Sequence, residues 1–194
     1  IRKRDLVKLE EADAEEQGGH AFRVMEAYER AFENEGDRGQ RALAILHLFG
    51  LFDRPMSADC FAALLQPPAI LGLTDRLIAL GEAQVNLAIN RLESAKLVPT
   101  HTDNTAAPRS PFATRHSLDA HPLLREYFAR QLREQQPDAW RAAHRRLYEH
   151  LCASTPDKPQ PTLEDLQPLY PAVAHGCQAG LLNEACSDVF QQRI

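Results

Sequence analysis

No stretch of this chain strings together the roughly twenty apolar residues that a membrane-spanning helix requires. Nothing resembles a secretory leader either, because "IRKRDLVKLEE" turns acidic where an apolar stretch should follow the basic start. Membrane attachment is therefore not expected, and a cytoplasmic location is. Several motifs that carry chemistry are missing as well. There is no GxxxxGK[ST] phosphate loop, no GxGxxG turn, no HExxH helix and no GxSxG elbow. Paired carboxylates such as Glu10–Glu11 and Glu15–Glu16 fall in a charged helical stretch and read as a solvated face. His116 and His121 are five residues apart across a strand–helix junction, with no further metal ligands at hand. Catalysis is not expected of this stretch of chain by itself.

Strong charge is another absence. The net charge of −5 is mild and gives neither the basic surface of a nucleic-acid binder nor an acidic disordered tail. The four cysteines, Cys60, Cys152, Cys177 and Cys186, form no CxxC pair and no Cys/His cluster with zinc spacing. Buried, reduced thiols in helical surroundings are the expectation for all four. The chain opens at Ile1 within a charged segment, and it reads as a piece of a longer protein.

What remains is almost entirely helical pattern. In "HAFRVMEAYERAFEN" (20–34), Phe22, Met25, Tyr28 and Phe32 share one face. "EGDRG" reads as a break. "QRALAILHLFG" is apolar nearly all round and predicts a buried central helix ending at Gly50, with His47 as a satisfied core histidine. Pro55 interrupts the chain, Ser57 is a natural N-cap, and Asp59 suits the first turn of a helix that turns Phe61, Leu64 and Leu65 inward. "EAQVNLAINRLESAKL" carries the stripe Val85, Ala88, Ile89, Leu92. "KLVPTHT" and "ATRHSLD" then read as two short strands around the turn-rich "DNTAAPRSPF", with Pro99 confining the first to an edge. "HPLLREYFARQL" is an amphipathic helix facing inward through Leu124, Tyr127, Phe128 and Leu132. "DAWRAAHRRLYEHL" follows, with Trp140, Leu147, Tyr148 and Leu151 as its apolar stripe, and then the proline-rich linker "ASTPDKPQPT".

Helices followed by one small hairpin is the order of a winged-helix domain. The expected fold class is mainly α: a winged helix at 41–135, the tail of a helical domain at 1–40, a connector and linker at 136–165, and a helical hairpin at 166–194. That last pair, 166–179 and 181–193, turns at Gly180. "GLLNEA" (180–185) matches the G-x-x-x-E-A turn of a tetratricopeptide repeat, in which the small alanine lets the paired helices approach. Such a repeat cannot bury its face alone, so further repeats are expected beside it.

Taken together, "RVMEAYERAF", "LFGLFDRPMSADCFAALL", the hairpin, "LDAHPLLREYF" and "LQPLYPAVAHGCQAGLLNEACSDVF" resemble the region that follows the nucleotide-binding core in STAND ATPases of the NB-ARC/NACHT type. In that family a P-loop core precedes a helical domain, a winged helix and a superhelical repeat array. "AHPLLREYF" is similar to the family's "MHDLLRDFA" element, whose histidine approaches the β-phosphate of bound ADP. The resemblance implies that role for His121, with Ala120 and Pro122 in place of the family's Met and Asp. It also implies a regulatory segment of a bacterial signalling ATPase. The full protein would bind ATP or ADP with Mg, and the cofactor would not be held by this segment alone. Partners would be its own nucleotide-binding core and sensor repeats, a protein or other ligand on the repeats, and further copies of itself in an active oligomer.

Two other readings stand beside this one. A winged helix can bind DNA through the helix before its hairpin. In "GEAQVNLAINRLESAK", however, Arg91 and Lys96 face Glu82 and Glu93, and in the candidate wing Arg109 and Arg115 face Asp103. A surface so near neutral lacks the phosphate neutralisation that DNA affinity depends on. The third reading is a helical scaffold or adaptor with no nucleotide link.

Overall fold

The computed structural model describes residues 22–99 and 117–194, and over these the protein is mainly α-helical. Helix α1 is helical over 22–34, followed by α2 (Asp37–Phe49), β1 (Met56–Ser57), α3 (Ala58–Leu64), α4 (Asp75–Ile78) and α5 (Glu82–Ser94). Then come β2 (Ser117–Leu118), α6 (Pro122–Gln135), α7 (Pro137–Ser154), α8 (Leu163–Leu166) and α9 (Leu169–Gln178). The last helix, α10 (Glu184–Gln191), is wound with the wider π repeat. Among the described residues no helix is long and apolar enough to cross a membrane.

Helix α2 is the centre of the molecule. Its run of Ala42, Leu43, Ala44, Ile45, Leu46, Leu48 and Phe49 is buried all round because α5 and α6 pack on it from different sides. The stripe Val85, Ala88, Ile89 and Leu92 turns α5 inward, and Leu124, Tyr127, Phe128 and Leu132 do the same for α6, as the helical spacing predicts. His47 is a core histidine with a polar neighbour at each ring nitrogen. Nδ1 lies 3.0 Å from the Leu43 carbonyl and Nε2 lies 2.8 Å from Gln131 Oε1. Burial pushes this imidazole below its ordinary value.

At three places the structure departs from, or adds to, the sequence pattern. "EGDRG" is less of a break than a corner, since α2 already begins at Asp37 and Gly39 lies within it. The short helix α4 carries no periodic signal of its own; Leu77 alone is buried from it. Third, the strand at Ser117–Leu118 pairs with Met56–Ser57, a partner that the sequence pattern did not suggest, while the end of the expected hairpin partner, 100–102, lies outside the described residues. The pairing is antiparallel, with Met56 opposite Leu118 and Ser57 opposite Ser117. Leu97 and Val98 are buried without being strand. The hairpin loop at 103–112 lies outside the described residues.

One contiguous apolar cluster runs from Phe32 through α2, α3, α5, α6 and α7 to Ala172 on α9. The C-terminal hairpin is fastened at both ends. Gly180 turns the chain with φ 82°, a conformation open to glycine at no steric cost. Ala185 is fully buried against Gly176, where an added Cβ would stand 2.7 Å from the alanine's own. This is the close approach that the "GLLNEA" spacing implies. The proline-rich linker is tied down as well. Thr162 and Asp165 form a reciprocal capping box, and Arg193 reaches back to Asp157 and the Thr155 carbonyl.

Candidate functional site

His121 stands at the N-cap of α6, with Pro122 in the first helical position. Its backbone is extended, and its carbonyl accepts from Leu124 N at 2.9 Å and Arg125 N at 3.1 Å. The side chain does the capping itself: Leu123 N donates to His121 Nδ1 at 3.2 Å. Two consequences follow. No free amide remains in the first turn for an anion, because Pro122 has none and Leu123, Leu124 and Arg125 are engaged. And since Nδ1 accepts, the ring proton sits on Nε2, which is left as a donor on an exposed side chain.

His121 borders an open concavity of about 440 Å³, lined also by Lys96, Val98, Pro99 and Asp119. Lys96, weighed from the sequence only as a cation of the helix before the hairpin, was not expected beside His121. It ends α5 in a Schellman turn: Lys96 N donates to Glu93 O at 2.9 Å, and Leu97 N donates to Leu92 O at 3.1 Å. That turn needs a left-handed residue, and Lys96 occupies it at φ 61°. It is the only non-glycine with positive φ among the described residues. A lysine here accepts a backbone cost that glycine avoids. The signal was present in "ESAKL", a helix end with no glycine to make its turn, but it says nothing of what the lysine would face.

Asp119 brings a negative charge to the same concavity, and that charge is held down. Its Oδ1 accepts from Ala120 N at 2.8 Å and from the Arg125 guanidinium at 3.0 Å. The arrangement is thus two outward donors, Nε2–H of His121 and the Lys96 ammonium, beside a neutralised carboxylate. Side-chain donors of this kind, rather than backbone amides, are what the concavity offers to a small anionic group.

The helix that would read DNA is less well equipped. Arg91 is paired bidentately with Glu35 of the α1–α2 corner and also lies 5.0 Å over the Phe32 ring. Its guanidinium serves packing within the fold. The wing arginines Arg109 and Arg115, and His116, lie outside the described residues.

A second concavity, about 470 Å³, opens between the end of α2, α6, α7 and α9. His144 and His175 line its floor with their Nδ1 atoms 2.8 Å apart, and both are buried. Burial holds both imidazoles well below their ordinary range, to about 3 for His144 and about 4 for His175. With both rings held neutral by burial, one Nδ1 donates and the other accepts, so their tautomers are coupled.

The expectation of four buried thiols holds only for Cys60. Cys152 and Cys177 are half-buried and Cys186 is exposed, all four being free. No protein-family profile matches the chain, and no curated protein or solved structure is significantly similar to it.

Proposed function

We propose that this chain is the winged-helix and first-repeat segment of a STAND-type signalling ATPase, and that His121 with Lys96 senses the β-phosphate of ADP held by a separate nucleotide-binding core. The observation that carries the reading is the shared concavity. His121 keeps its cap on α6 through Nδ1 and presents Nε2–H, while a lysine held in a costly backbone conformation stands beside it. Two donors of this kind suit a phosphate.

The topology supports the same assignment. The order α2, β1, α3, α4, α5, β2, with β1 antiparallel to β2, supports a winged helix in which the first strand pairs with the strand after the wing. The hairpin of α9 and α10, with its Gly180 turn and its Gly176–Ala185 contact, supports a repeat-like unit, and Leu182 and Phe190 stand exposed on it. In this mechanism bound ADP bridges the core to the His121 concavity and favours the closed state. A ligand on the repeats favours the open, ATP-bound state by its differential affinity, and the open state oligomerises and signals. The segment itself catalyses nothing.

The test is ADP release from the protein carrying the nucleotide-binding core. A hydrogen bond to a charged group contributes about 1.5–3 kcal/mol, so His121→Ala speeds ADP release by about tenfold or more and raises basal signalling. An unchanged release rate would leave His121 as a helix cap only. The 194-residue chain alone binds and hydrolyses no ATP, and turnover by it would refute the assignment.

A further inference from the structure

Away from the His121 concavity, three donors of different chemistry meet where α3 packs on α7. The Asp59 carboxylate, the Cys60 thiol and one nitrogen of His150 each offer an atom, and these three atoms all lie within 4.8 Å of one another. His150 Nε2 is 3.3 Å from Asp59 Oδ2. The set is built from two elements far apart in sequence. Asp59 and Cys60 occupy the first turn of α3, which Ser57 fixes by accepting from Cys60 N at 3.4 Å. His150 projects from α7, which is pinned at this junction by Arg146 donating to the Leu64 and Gln66 carbonyls at 3.0 and 2.7 Å.

A nucleophilic relay does not account for the cluster. A relay needs the carboxylate and the thiol on opposite nitrogens of the imidazole and a thiol that ionises easily. Here the carboxylate holds Nε2, and burial pushes the Cys60 thiol up. The three donors lie mutually close instead of running in series. Sulfur, nitrogen and oxygen donors together are the ligand mixture of a zinc ion. Tetrahedral bonds of 2.0–2.3 Å place neighbouring donors about 3.5 Å apart, so the three atoms need draw together by only about 1 Å. Asp59, which also bonds Ser57, has room to move, its side chain being 61% exposed, and His150 is partly exposed. Asp59, Glu149 and His150 line a concavity of about 510 Å³ that reaches two of the three donors, while Cys60 is buried and not part of its lining; the arginine that shares the concavity, Arg146, is occupied by carbonyls.

We propose that Asp59, Cys60 and His150 form a Zn²⁺ site that clamps α3 to α7, with the fourth position open to water from the Glu149 side. Binding replaces the S–H bond of Cys60 by a Zn–S bond and releases the proton to solvent, with no change of oxidation state.

Cobalt(II) titration of the 194-residue chain, first stripped with chelator, tests the site. The expected result is one equivalent bound, a thiolate-to-cobalt charge-transfer band in the near ultraviolet, and displacement of both by Zn²⁺. Cys60→Ser abolishes the band, and His150→Gln and Asp59→Asn weaken binding by about tenfold or more. A Cys152→Ser, Cys177→Ser, Cys186→Ser triple variant keeps the full signal. Zn²⁺ also raises the Tm of the unsubstituted chain and not that of His150→Gln. Absence of the band, or its survival in Cys60→Ser, overturns the proposal. If Cys60→Ser does not fold, His150→Gln decides, since unchanged cobalt affinity in that variant overturns it equally.

Discussion

On the proposed function Lys96 and His121 each have two roles, and substitution can separate them. Lys96 closes α5 in a left-handed conformation that costs an L-residue roughly 1–2 kcal/mol. Lys96→Gly therefore raises the unfolding free energy by about 1 kcal/mol, readable by urea denaturation. On the proposed function the same variant also speeds ADP release from the protein with its nucleotide-binding core. A variant that is both more stable and a poorer ADP holder is the mark of a residue kept for its charge. One that is more stable with unchanged ADP release would return Lys96 to the helix end. His47 shows what a single residue reveals locally. Its apolar setting identified it as a core histidine, but its partner Gln131, 84 positions away, came only from the packing of α6 on α2. The thiols went the other way. Helical surroundings do not say which face a cysteine takes, and Cys186 faces solvent.

Among elements, the amphipathic helices were legible because their stripes repeat over two or three turns. Leu124 and Phe128 are each about 1% exposed on the inner face of α6. Leu124→Asp would bury a charge with no partner, and loss of the folded state by circular dichroism is the expected outcome. Short elements were not legible. The two-residue β1 and the four-residue α4 are too brief for any period, and β1 exists only because β2 returns beside it. Glycines misled for a related reason. Gly39 and Gly50 look like punctuation, yet both are sites of close contact, Gly39 against the Phe32 carbonyl and Gly50 against the α6 backbone. A Cβ on Gly50 would stand 2.5 Å from Ala129 N, whereas one on Gly81 would meet nothing within 4 Å. Gly50→Ala accordingly lowers stability by roughly 1–3 kcal/mol. Gly81→Ala stays within about 1 kcal/mol. Equal effects in thermal melts would contradict the α2–α6 contact.

At the scale of the molecule, the continuity of the core couples the N-terminal helices to the C-terminal hairpin. The buried His144–His175 contact lies where α7 meets α9. Both rings are depressed below their ordinary values by burial, to about 3 and about 4. The unfolded chain protonates them near 6.5, so below that pH it binds protons that the native state refuses. The stability from keeping the pair neutral is complete above about pH 6.5 and is lost as pH falls toward about 4. Tm should drop between pH 7 and pH 5 in the unsubstituted chain. The drop should be shallower in His175→Gln, and a parallel drop in both would mean that the pair is not what titrates.

The sequence by itself determined the helical class, the inward faces of α2, α5 and α6, the Ser57 cap, and the Gly180 turn. Each of these depends on residues within a few positions of one another. Only the tertiary structure decided that β2 pairs with β1, that Lys96 stands beside His121, that His144 meets His175, and that Asp59 and Cys60 face His150. These contacts join residues 25 to 91 positions apart. No local period encodes such a distance. It is set by how α2 buries itself beneath α5 and α6, and by where α7 then has room to pack.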